Sequence, residues 1–299
     1  MHQRNWRSTL LFGLAILGCS LSATAGPVIL GGDDLADHGS GVGGVNIEGW
    51  LYIQKAVQNI LAQANRPGND GSVAALGSAF STAISDDTGA AIRSACAALG
   101  VTVNFYDGPA AIDQFFTDLA GGAVNPAMIW LAGYDADTPN NLDASEGAAL
   151  TAHASAIAAY VASGGGLMSH GADDNGVGNG PAIAYGWLSS LIPGLNVVNS
   201  CEATGAMLTA AGMAAFPGLS NSDIDITAGQ CHNHFSGALG SLAVLALDGS
   251  VPRQNFLVGG GAGTIIGGGA TVPTLSNWML AILGGLLAAT GFLVVHRRG

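Results

Sequence analysis

From Leu275 to Val295 the chain runs 21 residues without a charge, and no other stretch limits the fold so strongly. At about 1.5 Å per residue a helix of this length reaches roughly 31 Å, the hydrocarbon thickness of a bilayer. The segment is expected to span a membrane, with Arg297 and Arg298 just beyond it held on the cytoplasmic side. Residues 1–25 carry the complementary signal: Arg4 and Arg7, an apolar run from Leu10 to Gly18, then Ala23-Thr24-Ala25. These are the basic, apolar and small-residue parts that a signal peptidase reads. The run is too short to cross a bilayer. Lipoprotein processing at Cys19 is the alternative, with Leu17 a poor fit to the required box. Both ends predict one topology, a domain exported and held outside the cytoplasm.

Between the ends the charge is one-sided. All 20 acidic residues lie there against Lys55, Arg66, Arg93 and Arg253, a net of −16. Nucleic-acid binding depends on Lys and Arg displacing counterions from phosphates, so nucleic acid is excluded as a partner. The 47 glycines show no three-residue period, which excludes collagen, and aliphatic residues are too plentiful for disorder. One large α/β domain fits the length that remains.

Immediately before the apolar run stand Val272-Pro273-Thr274-Leu275-Ser276-Asn277-Trp278. Motif, hydrophobic helix and terminal arginine pair together resemble the IPTL-CTERM sorting domain of Gram-negative bacteria, a relative of the PEP-CTERM signals. Val272 replaces the usual Ile, and Asn277 stands where an acidic residue is common. The resemblance implies that Pro273, Thr274, Leu275 and Trp278 are read by an exosortase-type sorting protease. The domain would then reach the cell surface or the medium from an inner-membrane anchor. A permanent anchor is the plainer alternative. Gly259 to Gly269 holds seven glycines, a flexible tether in either case. The division expected is signal peptide 1–25, ectodomain 26–258, glycine-rich linker 259–271 and sorting segment 272–299.

Within the ectodomain short apolar runs alternate with amphipathic stretches. Strands are predicted at 27–30, 73–76, 101–106, 127–131, 166–169, 195–199, 242–247 and 256–258. Helices are predicted at 50–64, 88–99, 110–119, 144–163, 182–191 and 205–215. This is βαβ architecture, hence an open, mainly parallel sheet of flavodoxin-like type with helices on both faces. Ligands of such sheets gather beyond the carboxyl ends of the strands. The polar residues gather there too: Asp33, Asp34, Asp37 and His38 after the first strand, Tyr134, Asp135 and Asp137 after Ile129-Trp130-Leu131, and His170, Asp173 and Asp174 after Gly166 to Ser169.

The stretch from Ile157, IAAYVASGGGLMSHG, with PVILGGDD and IWLAGYD upstream, resembles the class I glutamine amidotransferase-like superfamily, ThuA-like proteins included. That likeness implies the same α/β fold. Those amidotransferases place a nucleophilic Cys at the active-site elbow, whereas this chain has Ser169 and His170, so glutaminase chemistry is not implied.

Four chemical candidates follow. Ser169 and His170 are the catalytic pair a hydrolase or lyase would use. Neighbours on an extended chain point to opposite faces, so Ser169 would need His38, His153, His232 or His234 as its base. A plain polar turn is the alternative. Asp33, Asp34, Asp135 and Asp173 would suit calcium or magnesium, and His38 or His170 would tilt the site toward zinc or manganese; a divalent cation is thus the candidate cofactor, against solvated acidic loops. No EF-hand spacing or H-E-x-x-H helix occurs. Cys231-His232-Asn233-His234 looks like a metal run, but in an oxidising compartment a Cys201–Cys231 disulfide is simpler and leaves Cys96 unpaired. Trp130, Tyr134 and Trp187 are candidates for glycan binding. Gly39 to Gly44 fits G-x-G-x-x-G but trails its strand, and reads better as a mobile loop over the cleft. The function expected is an exported surface domain with a binding or structural role; the alternative is a secreted hydrolase or lyase.

Overall fold

The computed structural model describes residues 24–135, 140–171, 179–202, 204–226 and 232–260. The signal segment, the linker beyond Gly260 and the run from Leu275 to Val295 lie outside them. Among the described residues no helix is long and apolar enough to cross a membrane.

Strand β1 (Val28–Gly31) is followed by a small hairpin, β2 (Gly39–Ser40) and β3 (Ile47–Glu48), and then by α1 (Gly49–Gln63). Next come β4 (Val73–Leu76), α2 (Thr88–Leu99), β5 (Val103–Tyr106), α3 (Pro109–Gly121) and β6 (Met128–Leu131). Helices α4 (Ala144–Ala152) and α5 (Ala154–Ala162) lead to β7 (Gly166–Ser169), and α6 (Gly180–Tyr185) and α7 (Leu188–Leu191) follow it. The chain then forms β8 (Leu195–Val198), β9 (Met207–Leu208), α8 (Ala210–Ala215), β10 (His234–Gly237), β11 (Ala243–Leu247) and β12 (Asn255–Gly260).

Local chemistry sets these limits. The Asp87 carboxylate accepts from Ala90 N–H at 2.7 Å to start α2, and Gly100 ends it in the left-handed region. Asp143 and Glu146 form a capping box at α4. Helix α1 buries Trp50, Ile53, Val57 and Ile60 at the i, i+3, i+7 spacing of one face, each contributing about 1.5–3 kcal/mol by leaving water. The predicted helix 144–163 is two helices, because His153 leaves helical geometry (ψ 14°), stacks on Phe116 with ring centroids 4.4 Å apart and meets Asp113 at 2.8 Å.

Strands β5, β4, β6, β7 and β1 are parallel neighbours in that order, as the alternating pattern predicts. Helices cover both faces. A side chain at Gly165 would strike Tyr160 of α5, and one at Gly166 would strike Ile60 of α1; α1 packs with α2 and α8, while α4 and α5 pack with α6 and α7. The large sheet also has an antiparallel part. Strands β12, β10 and β8 continue the sheet antiparallel, and β11 and β9 pair beyond β12. Since β11 lines one flank of β12, β10 joins on the flank that β1 leaves at Gly31 and so prolongs the line of β1. The segment 39–44 is also no free loop: Gly39 and Ser40 pair with Glu48 and Ile47, and Ser40 bridges to Ser85.

Two consequences position the site. The connection after β1 runs to α1 on one face and the connection after β7 to α6 on the other, so β1 and β7 flank a topological switch point where open α/β sheets form a crevice. Val28 pairs with Gly260, so the domain's two ends leave together at the opposite end of the strands, away from that crevice.

Candidate functional site

Beyond Leu30 and Ser169 the paired strands β1 and β7 part, and the gap must satisfy their last carbonyls. The Tyr185 hydroxyl does so, 2.6 Å from the Gly31 oxygen and 3.2 Å from that of Ser169. Above this floor four loops meet on glycine. Gly171 N–H donates to Asp33 O at 2.7 Å, Tyr134 N–H to Gly171 O at 3.1 Å, and both His232 and Asn233 N–H to Gly32 O at 2.9 Å. A Cβ on Gly32 would lie 1.8 Å from the Asn233 oxygen, and one on Gly171 2.6 Å from the Gly32 carbonyl carbon. Only glycine permits these approaches. The loops after β1, β6 and β7 thus converge, and the strand-like run 232–234 joins them from the antiparallel half.

Ser169 and His170 point to opposite faces and neither is open to a substrate. Both are fully buried. The Trp130 indole N–H donates to His170 Nε2 at 2.8 Å, and His170 Nδ1 meets Asp33 Oδ1 at 2.8 Å. An indole only donates. Nε2 therefore accepts, Nδ1 carries the proton, and both ring nitrogens are engaged. Leu35 N–H gives Asp33 Oδ1 a second donor at 3.1 Å. Tyr52 on α1 closes the pocket with its ring 6.4 Å from that of His170, edge on. Ser169 Oγ has no hydrogen-bond partner among the described residues, and no non-glycine residue there adopts the positive φ of a nucleophile elbow. Trp130, His170 and Asp33 are a buried brace that fixes the floor of the crevice.

One residue on, the buried Asp34 carboxylate meets two imidazoles that reach the surface. Asp34 Oδ2 receives His38 Nε2 at 3.1 Å and His232 Nε2 at 2.7 Å, with His38 and His232 each partly exposed. Burial alone would raise the Asp34 carboxyl, but the hydrogen bonds and charges of His232 and His38 outweigh it and hold it below 3.8. The Asp34 hydrogen bond raises His38 above 6.5 against the opposing effect of burial, with Asp34 and Asp37 adding favourable charge. A histidine raised in the folded state stabilises the fold below its unfolded pKa, and that contribution is lost as pH rises through the folded value. The lowered Asp34 stabilises above its unfolded pKa and is lost as pH falls through its folded one. The cluster therefore contributes most between about pH 4 and 6.5. In Asp34→Asn the His38 ring should titrate at lower pH than in the native domain, read by NMR of the ring protons; an unchanged midpoint would refute the pairing.

The other sequence candidates divide. Asp37 accepts from Thr88 Oγ1 at 2.8 Å and Asn141 Nδ2 at 3.1 Å, tying the β1 loop to α2 and to the β6 connection. Asp135 follows Tyr134 at the crevice rim and is partly buried. Asp33 is sealed in the brace, and Asp137, Asp173 and Asp174 lie outside the described residues. Among the described residues no group of three or more His, Cys, Asp or Glu could hold a metal ion. Trp130 and Trp187 are fully buried, so neither ring offers a face to a sugar. Cys96 is free and buried, with burial pushing its thiol up to about 12; Cys231 lies outside the described residues.

Comparison with known families bears on the tail. Residues 270–298 match the IPTL-CTERM motif. The IPTL-CTERM match includes Pro273, Thr274, Leu275 and Trp278 and makes this an exported, surface-sorted chain processed by a sorting system, with membrane anchoring in general terms. It covers the tail alone. Comparison with curated proteins finds no relative. One solved structure, described as the crystal structure of a peptidase from an acI-B1 Actinobacterium, is similar at 16% identity over 50% of this chain and 55% of that one, with a TM-score of 0.27. A likeness that low carries no argument, and this chain spans about half of that protein. None of these comparisons supports the amidotransferase-like resemblance, so the IPTL-CTERM tail is the part of the chain whose kinship is shown.

Proposed function

We propose that signal peptidase removes residues 1–25, that an exosortase-type protease acts at the IPTL-CTERM tail, and that the α/β domain then binds a small polar ligand outside the cell. The crevice between β1 and β7 is the binding site, with Asp34, His38 and His232 as contacting groups. Asp34 carries this reading: its carboxylate stands at the switch point with two imidazoles from separate loops on one oxygen, an array that can donate and accept. The surrounding Asp residues favour neutral or cationic ligands over anions.

A second reading, a secreted hydrolase or lyase, is favoured by the same observation, since an imidazole oriented by a carboxylate is what a general base requires. One experiment separates the two. Ring signals of His38 and His232 in the exported domain are followed while amines, amino acids and saccharides are added. Shifts at both rings, lost in Asp34→Ala, support binding; silence toward every class removes it. Cleavage of an ester, amide or glycoside panel by the native domain but not by Asp34→Asn moves the function to the second reading.

Cys201 is proposed to pair with Cys231. Strands β8 and β10 pair antiparallel as Val198 with His234 and Val197 with Phe235, and Cys201 follows β8 by three residues while Cys231 precedes β10 by three; in an oxidising compartment a disulfide is the simplest state for two such cysteines. The native protein's intact mass is expected to lack residues 1–25 and the tail and to be two hydrogens lighter than the dithiol. A thiol-reactive reagent that labels both cysteines without reductant would refute the bond.

A further inference from the structure

We propose that the groove between β8 and helices α6 and α7 is a peptide-docking site that takes an extended, uncharged segment of another polypeptide as an added strand along β8. Strand β8 ends the sheet, and no strand pairs with its other side among the described residues. Because Gly194 and Ala238 form a hydrogen-bonded pair, alternation turns the N–H and C=O of Val197 and the C=O of Leu195 away from β10, toward the open edge. Natural edges are blunted by lysine, proline, charge or a bulge, and the sequence of β8, Leu195-Asn196-Val197-Val198, holds none of these residues.

Beside that edge lies a groove of about 560 Å³, within the size of ligand sites. Its far wall is Ala182, Tyr185, Gly186 and Ser189 on or next to α6 and α7. An edge strand with a helix wall across a groove is the arrangement that binds peptides by strand addition: backbone hydrogen bonds give affinity, and alternate side chains enter the groove. The lining of this groove is uncharged throughout, on a domain whose net charge is −16. A charged side chain would lose hydration there without a partner, and an acidic peptide would meet repulsion on approach. Small walls at Ala182, Gly186 and Ser189 leave room for valine-sized side chains. Tyr185 links the groove to the crevice, for its hydroxyl holds the Gly31 and Ser169 carbonyls while its ring lines the groove.

The test uses the exported, processed protein and a blocked heptapeptide of alternating valine and serine, with an aspartate-for-serine version as control. The neutral peptide should bind saturably by fluorescence anisotropy and the acidic one at least tenfold more weakly. Val197→Pro removes the outward N–H without costing a bond to β10, and proline is tolerated on such an edge; it should weaken binding at least tenfold with the unfolding midpoint kept. Ala182→Trp, at an exposed position of the helix wall, fills the groove from the helix side and should do the same. Absence of saturable binding to the native protein, equal affinity for the acidic peptide, or full binding by a folded Val197→Pro domain would each overturn the proposal.

Discussion

Alanine at His170 is expected to destabilise the domain by about 3–5 kcal/mol, the cost of breaking a buried hydrogen-bonded network from one side. The substitution strips two groups at once: the Trp130 indole N–H loses its acceptor, and Asp33 loses one of the two donors on its Oδ1. Neither group reaches water, since Trp130, His170 and Asp33 are all fully buried. For a domain of this size each kcal/mol moves Tm by about 2–4 °C, so a fall of about 6–20 °C should appear in calorimetry. Trp130→Phe keeps most of the ring volume and removes only the donor, which should cost about 1–3 kcal/mol by leaving His170 Nε2 unsatisfied. The double variant should lose less than the sum, because both changes break one chain of bonds. A His170→Ala domain that melts with the native one would show that the brace does not hold the crevice floor. The contrast with Asp34→Asn matters: there the main readout is the titration of His38, because that cluster is partly open to water and its electrostatics are screened.

This pair of outcomes also marks what the sequence made visible. The parallel half of the sheet was legible because its strands are short, mostly apolar runs and helices such as α2 and α3 carry a cap or a glycine stop, as at Asp87, Gly100 and Gly122. The convergence of the loops after β1, β6 and β7 followed from topology. The antiparallel half was not legible in the same way. Strands β8, β11 and β12 read as apolar runs, but β9 is only Met207–Leu208, and β10 is the polar run His234 to Gly237, whose pairing with Asn255 depends on β1 ending at Gly31. Chemistry was harder still. His170 attracts attention as a catalytic residue because it follows Ser169 at a strand end, yet its roles are decided by Trp130, forty residues earlier, and by Asp33. Nothing in local spacing distinguishes a histidine held by an indole from one held by a substrate. The Asp34 cluster was half visible: His38 lies one helical turn from Asp34, but His232 arrives only because Gly32 has no side chain to keep Asn233 away.

Deleting residues 272–299 should abolish the membrane-held precursor and leave all of the protein in the soluble fraction, the largest change in location expected for any alteration of this chain. The run from Leu275 to Val295 is uncharged, and each arginine beyond it would cost about 2.5–3.5 kcal/mol at a bilayer centre, so the segment is expected to stop in the membrane instead of passing through. Combined alanines at Pro273, Thr274 and Leu275 keep an uncharged apolar run and remove the motif, and should give the opposite result: an unprocessed, heavier form accumulating in the membrane. Cell fractionation with intact-mass measurement reads both, and a native protein that retains its tail at full mass would refute cleavage while leaving the anchor in place. Gly259 and Gly260 belong to β12, so the expected tether is residues 261–271, whose r.m.s. reach as a glycine-rich coil would be roughly 18 Å and would keep the uncleaved domain close to the bilayer. Because Gly260 pairs with Val28 at the end of the sheet opposite the crevice, an anchored chain is expected to turn the crevice away from the membrane. The tail deletion should therefore leave the His38 titration unchanged, and a shift in that titration on deletion would show that the tail reaches the crevice.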